Sequence, residues 1–239
     1  MAVKWSVIIP AFNEAGRLPP YLDEILGFFE GRGEPYEVIV VNDASSDATG
    51  DMLAAAAGKN AALRVITHTH NHGKGGAVRA GMLAATGDFR LFTDADGATP
   101  IAELKRLEPV FAAGADVVVG SRALRDPAVA VRVRPHRALA GRVFNHLVTL
   151  VGVRGIADTQ CGFKAFTAAA TRRLFGALET QGFGFDVELL LRAQAAGYRI
   201  VEVAVNWQDQ AGSKVGVLTT GPRMLAQVVR ARWRVGHGQ

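Results

Sequence analysis

The segment Leu91-Phe92-Thr93-Asp94-Ala95-Asp96-Gly97 places two carboxylates at i and i+2 directly after an apolar run. A turn there brings both toward one point, where two like charges are unfavourable unless a cation sits between them. Hard oxygen donors suit Mg²⁺ or Mn²⁺, which would also grip substrate phosphates. The competing reading has both aspartates capping a helix that starts near Pro100. A second cluster, Asn42-Asp43-Ala44-Ser45-Ser46-Asp47, also follows an apolar run. Asp47 reads as the N-cap of the next helix; Asp43 has no such local use and could accept hydrogen bonds from a base or ribose. A third, from Asn71 to Arg79, sets Lys74 among Gly73, Gly75 and Gly76 at a helix start. Backbone N–H groups and a mobile cation there form a natural phosphate contact. Gly75 fills the Ser/Thr position of a Walker A loop, which argues against an NTPase. His68, His70 and His72 alternate with period two and would share one strand face. With no cysteine near them, they read as an ordinary strand end rather than a zinc site.

These groups need a frame, and the chain spells one. Short apolar runs at 6–10, 37–41, 63–66, 89–92 and 117–119 alternate with helical patterns at 14–29, 47–57, 75–85 and 100–112. That alternation predicts βαβ units: an α/β fold with a mostly parallel, Rossmann-like sheet flanked by helices. Such sheets place ligands at the carboxyl ends of their strands, where Asn42-Asp43, Asp94-Ala95-Asp96 and Gly120-Ser121-Arg122 fall. After residue 122 the alternation weakens; helices are expected at 137–151 and 185–195, and a strand at 200–205. No repeat, low-complexity tract or linker interrupts the chain. A single domain over 1–239 is expected, with a nucleotide-binding half (1–120) and an acceptor half (121–239) ending in a basic helix.

The chain has 239 residues, 49% hydrophobic, with a net charge of +5, which fits a globular protein with a sizeable core. Charge is uneven: residues 121–157 carry +6 and 210–239 carry +5, leaving −6 elsewhere. Basic segments point to phosphates or an anionic membrane surface. Nucleic-acid binding has no motif or aromatic platform to support it. The single cysteine, Cys161, excludes an internal disulfide and suits a reducing compartment. Neither a signal peptide nor a spanning segment is expected.

Taken in order, Ser6-Val7-Ile8-Ile9-Pro10-Ala11-Phe12-Asn13-Glu14, Asn42-Asp43 and the Asp94-Ala95-Asp96 turn resemble family 2 glycosyltransferases of the GT-A fold. The closer likeness is to the dolichyl-phosphate β-glucosyltransferases. It rests on Asp94-Ala95-Asp96-Gly97-Ala98-Thr99, Asp158-Thr159-Gln160-Cys161-Gly162-Phe163-Lys164, Phe185-Asp186-Val187-Glu188-Leu189-Leu190, and Ala204-Val205-Asn206-Trp207 with Gly212-Ser213-Lys214. Ala98 stands where the related mannosyltransferases usually carry Gln.

The resemblance implies an inverting hexosyl transfer from UDP-glucose to a polyprenyl or dolichyl phosphate, with Mg²⁺ or Mn²⁺. It implies that Asp43 contacts the uracil and that Asp94 and Asp96 hold the metal and diphosphate. Pro10, Asn13, Glu14, Lys74 and Arg79 would lie near the nucleotide, Gln160 and Asp186 in the sugar pocket, and Ser213 and Lys214 in a loop over the diphosphate. Arg122, with Arg137 and Arg142, would face the acceptor phosphate. Asp186, Arg122 and Asp96 are the catalytic candidates. The family's membrane segments have no counterpart here, so a lipid acceptor implies a cytoplasmic protein held peripherally on the inner face of a membrane. The 218–235 helix, with its arginines and Trp233, could supply that contact. The alternatives are a same-fold transferase using GDP-mannose or a soluble acceptor, and a non-catalytic nucleotide-sugar-binding protein.

Overall fold

The structure is a computed structural model that describes residues 3–133, 145, 148–149, 151–210 and 217–237. In chain order it contains β1 (Trp5–Ala11), α1 (Leu18–Glu30), β2 (Tyr36–Asn42), α2 (Thr49–Ala57), β3 (Leu63–Thr67), α3 (Gly73–Ala84) and β4 (Phe89–Thr93). A 3₁₀ turn (Ile101–Glu103) leads into α4 (Leu104–Ala112), β5 (Val117–Ser121) and β6 (Val131–Arg132). Then come β7 (Phe163–Thr167), α5 (Ala168–Gly176), α6 (Phe185–Ala195), β8 (Ile200–Ala204), β9 (Trp207–Gln208) and α7 (Val217–Gly236). The strands and helices expected before residue 120 are all present. The helix expected at 137–151 lies largely outside the described residues.

Seven strands form one sheet in the order β3-β2-β1-β4-β7-β5-β8. All run parallel except β7, which is antiparallel to both β4 and β5. Both faces are covered, so the strands are continuous apolar runs. Trp5, Val7 and Ile9 point toward Leu18, Ile25 and Phe29 of α1 and Leu104 and Leu107 of α4. Ile8, Ile39 and Val41 face Val78 and Met82 of α3, Phe185 and Leu189 of α6, and Val228 and Ala231 of α7.

Two features of this topology create a site. The strand order reverses between β1 and β4, and the crevice outside such a switch point is the natural ligand position. Because β7 runs backwards, its first residue Phe163 lies opposite Thr93, the last of β4. The segment 158–162 is thereby delivered to the same sheet edge as Asp94 and Arg122. Neither β7 nor α5 was anticipated from the sequence.

Candidate active site

Asp94 leaves the end of β4, and its N–H donates to the Gly162 carbonyl at 3.2 Å. The Lys74 ammonium, in the first turn of α3, stands 2.6 Å from Asp94 Oδ1. Burial works against that ammonium, but Asp94 and Asp186 outweigh it and raise its pKa, keeping it charged. Asp96 Oδ1 accepts the Ala98 N–H at 3.1 Å, and Arg17 Nη1 lies 4.0 Å from its Oδ2. Burial, then the charge of Asp94, raises the Asp96 pKa. The helix-cap reading of the pair does not hold, since the N–H of Ile101 goes to Glu24 Oε1.

The turn is clamped from below. Tyr21 of α1 shares a 2.9 Å hydrogen bond with Thr93 Oγ1 and donates to the Thr99 carbonyl at 2.9 Å. Gly97 adopts a φ of +66°, and its Cα sits against the Tyr21 ring where a Cβ would crowd it. Beside Asp96 opens a cleft of about 380 Å³ lined by Gly16, Arg17, Tyr21, Glu24 and Gly97.

The glycines around Lys74 do a different job from the one expected. The N–H groups of Gly75 and Gly76 both donate to the Gln181 carbonyl, at 2.7 and 3.2 Å. A Cβ on Gly75 would run into Thr180 O and Phe185 Cβ. These glycines let α3 dock on the 180–182 loop, so the N–H half of the expected phosphate cradle is already occupied. Lys74 alone is aimed at the site. Arg79 is not brought there either: its Nε donates to the Phe175 carbonyl at 2.9 Å, at the end of α5.

Asp43 is buried after β2. Its Oδ1 meets His68 Nδ1 at 2.7 Å and accepts the His72 N–H at 2.9 Å. The three histidines lie beyond the end of β3 rather than on a strand face, with ring centroids 4.6 Å (His68–His72) and 4.2 Å (His70–His72) apart. No group of three or more metal-ligating side chains occurs among the described residues. Pro10 pairs in register with Val41. Asn13, at φ +54°, accepts the Ser46 N–H at 2.8 Å, and the Glu14 N–H donates to Thr49 Oγ1 at 2.8 Å. Both thus pin the β1 loop to the β2–α2 loop that carries Asp43. Asp47 takes the Thr49 N–H at 2.9 Å, acting as a cap from one residue before the N-cap position.

On the other flank Arg122 follows β5. Its Nε and Nη2 bind Asp158 at 2.6 and 2.8 Å, and its guanidinium lies 5.3 Å from the Trp207 ring centre. Burial disfavours both charges, yet each overcomes it for the other: the Asp158 pKa is lowered and that of Arg122 raised. Gln160 is half-buried, with its N–H on Asp158 Oδ1 at 3.2 Å. Asp186, in the first turn of α6, is buried and 2.6 Å from the equally buried Lys164 ammonium. Burial raises the Asp186 pKa against the pull of Lys164 and Lys74. Arg137, Arg142, Ser213 and Lys214 lie outside the described residues.

The sequence alone gives Lys164, Asp158 and Tyr21 no role. Lys164 had a signal: a lone lysine inside the apolar run Phe163-Lys164-Ala165-Phe166 must be paired if it is buried.

The profile of "Glycosyl transferase family 2" matches residues 6–175. The dolichyl-phosphate beta-glucosyltransferase of Drosophila melanogaster is 44% identical over 228 residues, covering 90% of this chain and 70% of that protein. The Homo sapiens protein of the same name is 40% identical over 223 residues, covering 88% and 69%. Among solved structures, glucosyl-3-phosphoglycerate synthase from Mycobacterium tuberculosis, in complex with Mn²⁺, uridine diphosphate and glucosyl-3-phosphoglycerate, superposes with a TM-score of 0.72. It is 20% identical, with 98% of this chain and 80% of that one covered, and shares the fold. The chain is therefore a member of glycosyl transferase family 2, a GT-A-fold glycosyltransferase related to the dolichyl-phosphate β-glucosyltransferases.

Proposed function

We propose that this protein moves glucose from UDP-glucose to a polyprenyl phosphate of the dolichyl type, with inversion at the anomeric carbon. One observation carries the reading. Asp43 after β2, the Lys74–Asp94 pair with Asp96 after β4, and Arg122 after β5 all lie at the carboxyl-end edge of one sheet, which we read as a donor side and, at Arg122, an acceptor side. The acceptor and the sugar come from the names of relatives that are 44% and 40% identical across about nine-tenths of the chain, and UDP-glucose from the glucosyl-3-phosphoglycerate synthase that shares the fold and was crystallised with it.

The aspartate pair fits a divalent ion. Burial, then the charge of Asp94, raises the pKa of Asp96, and two carboxylates two residues apart with Lys74 on one of them leave room for a further cation. Mg²⁺ or Mn²⁺ takes one or two carboxylates and fills its shell with water and phosphate oxygens. Asp94 and Asp96 would hold the ion, whose charge would offset that of a departing diphosphate. The chain's own residues do the rest. Lys74 steadies the diphosphate side, and Asp43, with one carboxylate oxygen fixed by His68 and the His72 N–H, is set to receive the base. Arg122, held by Asp158, draws in the acceptor phosphate. Such a phosphate is already largely ionised at neutral pH, its second pKa being about 6, so the attacking oxygen needs orientation more than deprotonation.

A lipid acceptor requires a way to the membrane. No helix among the described residues is long and apolar enough to cross one. Instead α7 turns Val229 and Trp233 outward, 55% and 57% exposed, beside exposed Arg223, Arg230 and Arg232. That face suits the anionic surface of a bilayer.

The test is a panel of UDP-glucose and GDP-mannose with Mg²⁺ or Mn²⁺, offered with polyprenyl phosphate, with a soluble phosphorylated acceptor, or alone. Glucosyl lipid formed only from UDP-glucose supports the proposal. Transfer to the soluble acceptor alone, or from GDP-mannose alone, would replace it.

A further inference from the structure

Lys164 and Asp186 form the most deeply buried ion pair in contact with the site, 0% and 4% exposed at their side chains and 2.6 Å apart. Residues 163 and 165 of β7 face α1 and α4, so strand alternation sends Lys164 to the opposite side, toward α6 and Asp186. Its ammonium has a second partner, the Cys161 carbonyl at 2.6 Å, and lies 5.4 Å from the Phe92 ring centre.

The next residue, Gly162, is where Asp94 rests. Its carbonyl takes the Asp94 N–H at 3.2 Å, and a Cβ added to it would collide with the Asp94 carboxylate. A continuous path therefore runs from Asp186 through the Lys164 ammonium to the Cys161 carbonyl, then through Gly162 to Asp94. An ammonium with two short, buried acceptors is held firmly, because any displacement leaves a charge unpaired in a low-dielectric interior.

We infer that the Lys164–Asp186 pair is a positioning device that fixes the 161–162 peptide under Asp94, and that Asp186 is not a proton acceptor in the transfer. The inference rests on the donor-site reading above. Asp186 is enclosed, with one oxygen already on Lys164, and the proposed nucleophile is an anion with no proton to give up. Its acceptor position is spent on structure.

The test uses the full chain and two variants, Asp186→Asn and Lys164→Met. UDP binding in the presence of Mn²⁺ is followed by calorimetry, and kcat and its pH profile by glucosyl transfer. Wild-type titration comes first: no binding of UDP with Mn²⁺ would count against the donor assignment, not against the pair. The Asp186→Asn amide oxygen still accepts from Lys164 but no longer neutralises it, so UDP binding should weaken, by less than in Lys164→Met, while kcat stays within about tenfold and the shape of the pH profile persists. The loss of a general base would instead lower kcat by about 10²–10⁴-fold with UDP affinity intact. That result, with an altered pH profile, overturns the inference. Lys164→Met releases the Cys161 carbonyl and should weaken binding of UDP with Mn²⁺ by about 10–100-fold, the scale of losses when the support of a metal ligand is removed. A folded Lys164→Met protein that binds UDP and Mn²⁺ like the wild type would also overturn it. If Lys164→Met does not fold, Asp186→Asn alone decides: weaker binding of UDP with Mn²⁺ and an unchanged pH profile support the inference, and unchanged binding or an altered profile overturns it.

Discussion

The two halves of the Arg122–Asp158 pair should be unequally costly to remove. Asp158 is 2% exposed at its side chain and accepts four N–H groups: Arg122 Nε (2.6 Å), Nη2 (2.8 Å) and N (3.0 Å), and Gln160 N (3.2 Å). Arg122→Met removes the two charged donors and leaves a buried carboxylate on two backbone amides, a loss of about 3–5 kcal/mol. Asp158→Ala leaves a guanidinium that is 28% exposed and still over Trp207. That group reaches water, so the loss falls to about 2–3 kcal/mol. For a chain of this length, each kcal/mol is worth about 2–4 °C in Tm. Arg122→Met should therefore melt some 6–20 °C below the wild type, and Asp158→Ala less far below it. The sign with pH follows from Asp158, whose pKa is lowered in the fold. Its stabilisation is complete above the unfolded carboxylate value of about 3.9 and is lost as pH falls through the lower folded value. The gap between wild type and Arg122→Met should thus narrow from pH 7 to pH 3. Thermal and urea melts at both pH values measure this. A larger loss for Asp158→Ala, or a gap unchanged at pH 3, would mean that the buried Asp158 charge does not set these costs.

Tyr21→Phe deletes the bonds to Thr93 and Thr99 and should cost about 1–3 kcal/mol in urea denaturation, with weaker UDP binding because the aspartate turn loses its clamp. Gly162→Ala drives a Cβ into the Asp94 carboxylate; UDP binding with Mn²⁺ should fall by calorimetry while the far-UV circular dichroism spectrum stays native. Trp233→Ala with Arg230→Glu, on the outward face of α7, should abolish co-sedimentation with anionic vesicles. Wild-type co-sedimentation should itself weaken as salt rises, and kcat on a short, water-soluble polyprenyl phosphate should be unchanged in the variant.

Much of the frame could be read from the chain because β-branched runs and helical patterns alternate cleanly up to Ser121. Rules for parallel sheets then place Asp43, Asp94 and Arg122 at strand ends without further help. The strand β7 was hidden for a physical reason: Lys164 breaks its apolar pattern, and only the tertiary partner Asp186 makes a lysine tolerable there. Arg79 misled through its nearness to Lys74 in sequence. Five residues on a helix are about 140° apart around the axis, so the two side chains leave α3 in different directions. The glycines beside Lys74 looked like a phosphate loop, and their use as a docking surface for the Gln181 carbonyl depends on a segment more than 100 residues away. Asn13 and Glu14 sit in a motif that reads as ligand-binding, yet their bonds to Ser46 and Thr49 join two loops.

If Asp94 and Asp96 form the metal-dependent donor site of a glucosyltransferase, Asp94→Ala removes half of it. With UDP-glucose, Mn²⁺ and polyprenyl phosphate, the wild type should form glucosyl lipid and lose that activity on chelation. Asp94→Ala should retain its fold and form no glucosyl lipid above background. Metal-dependent turnover of UDP-glucose by Asp94→Ala at the wild-type rate would place the donor site elsewhere.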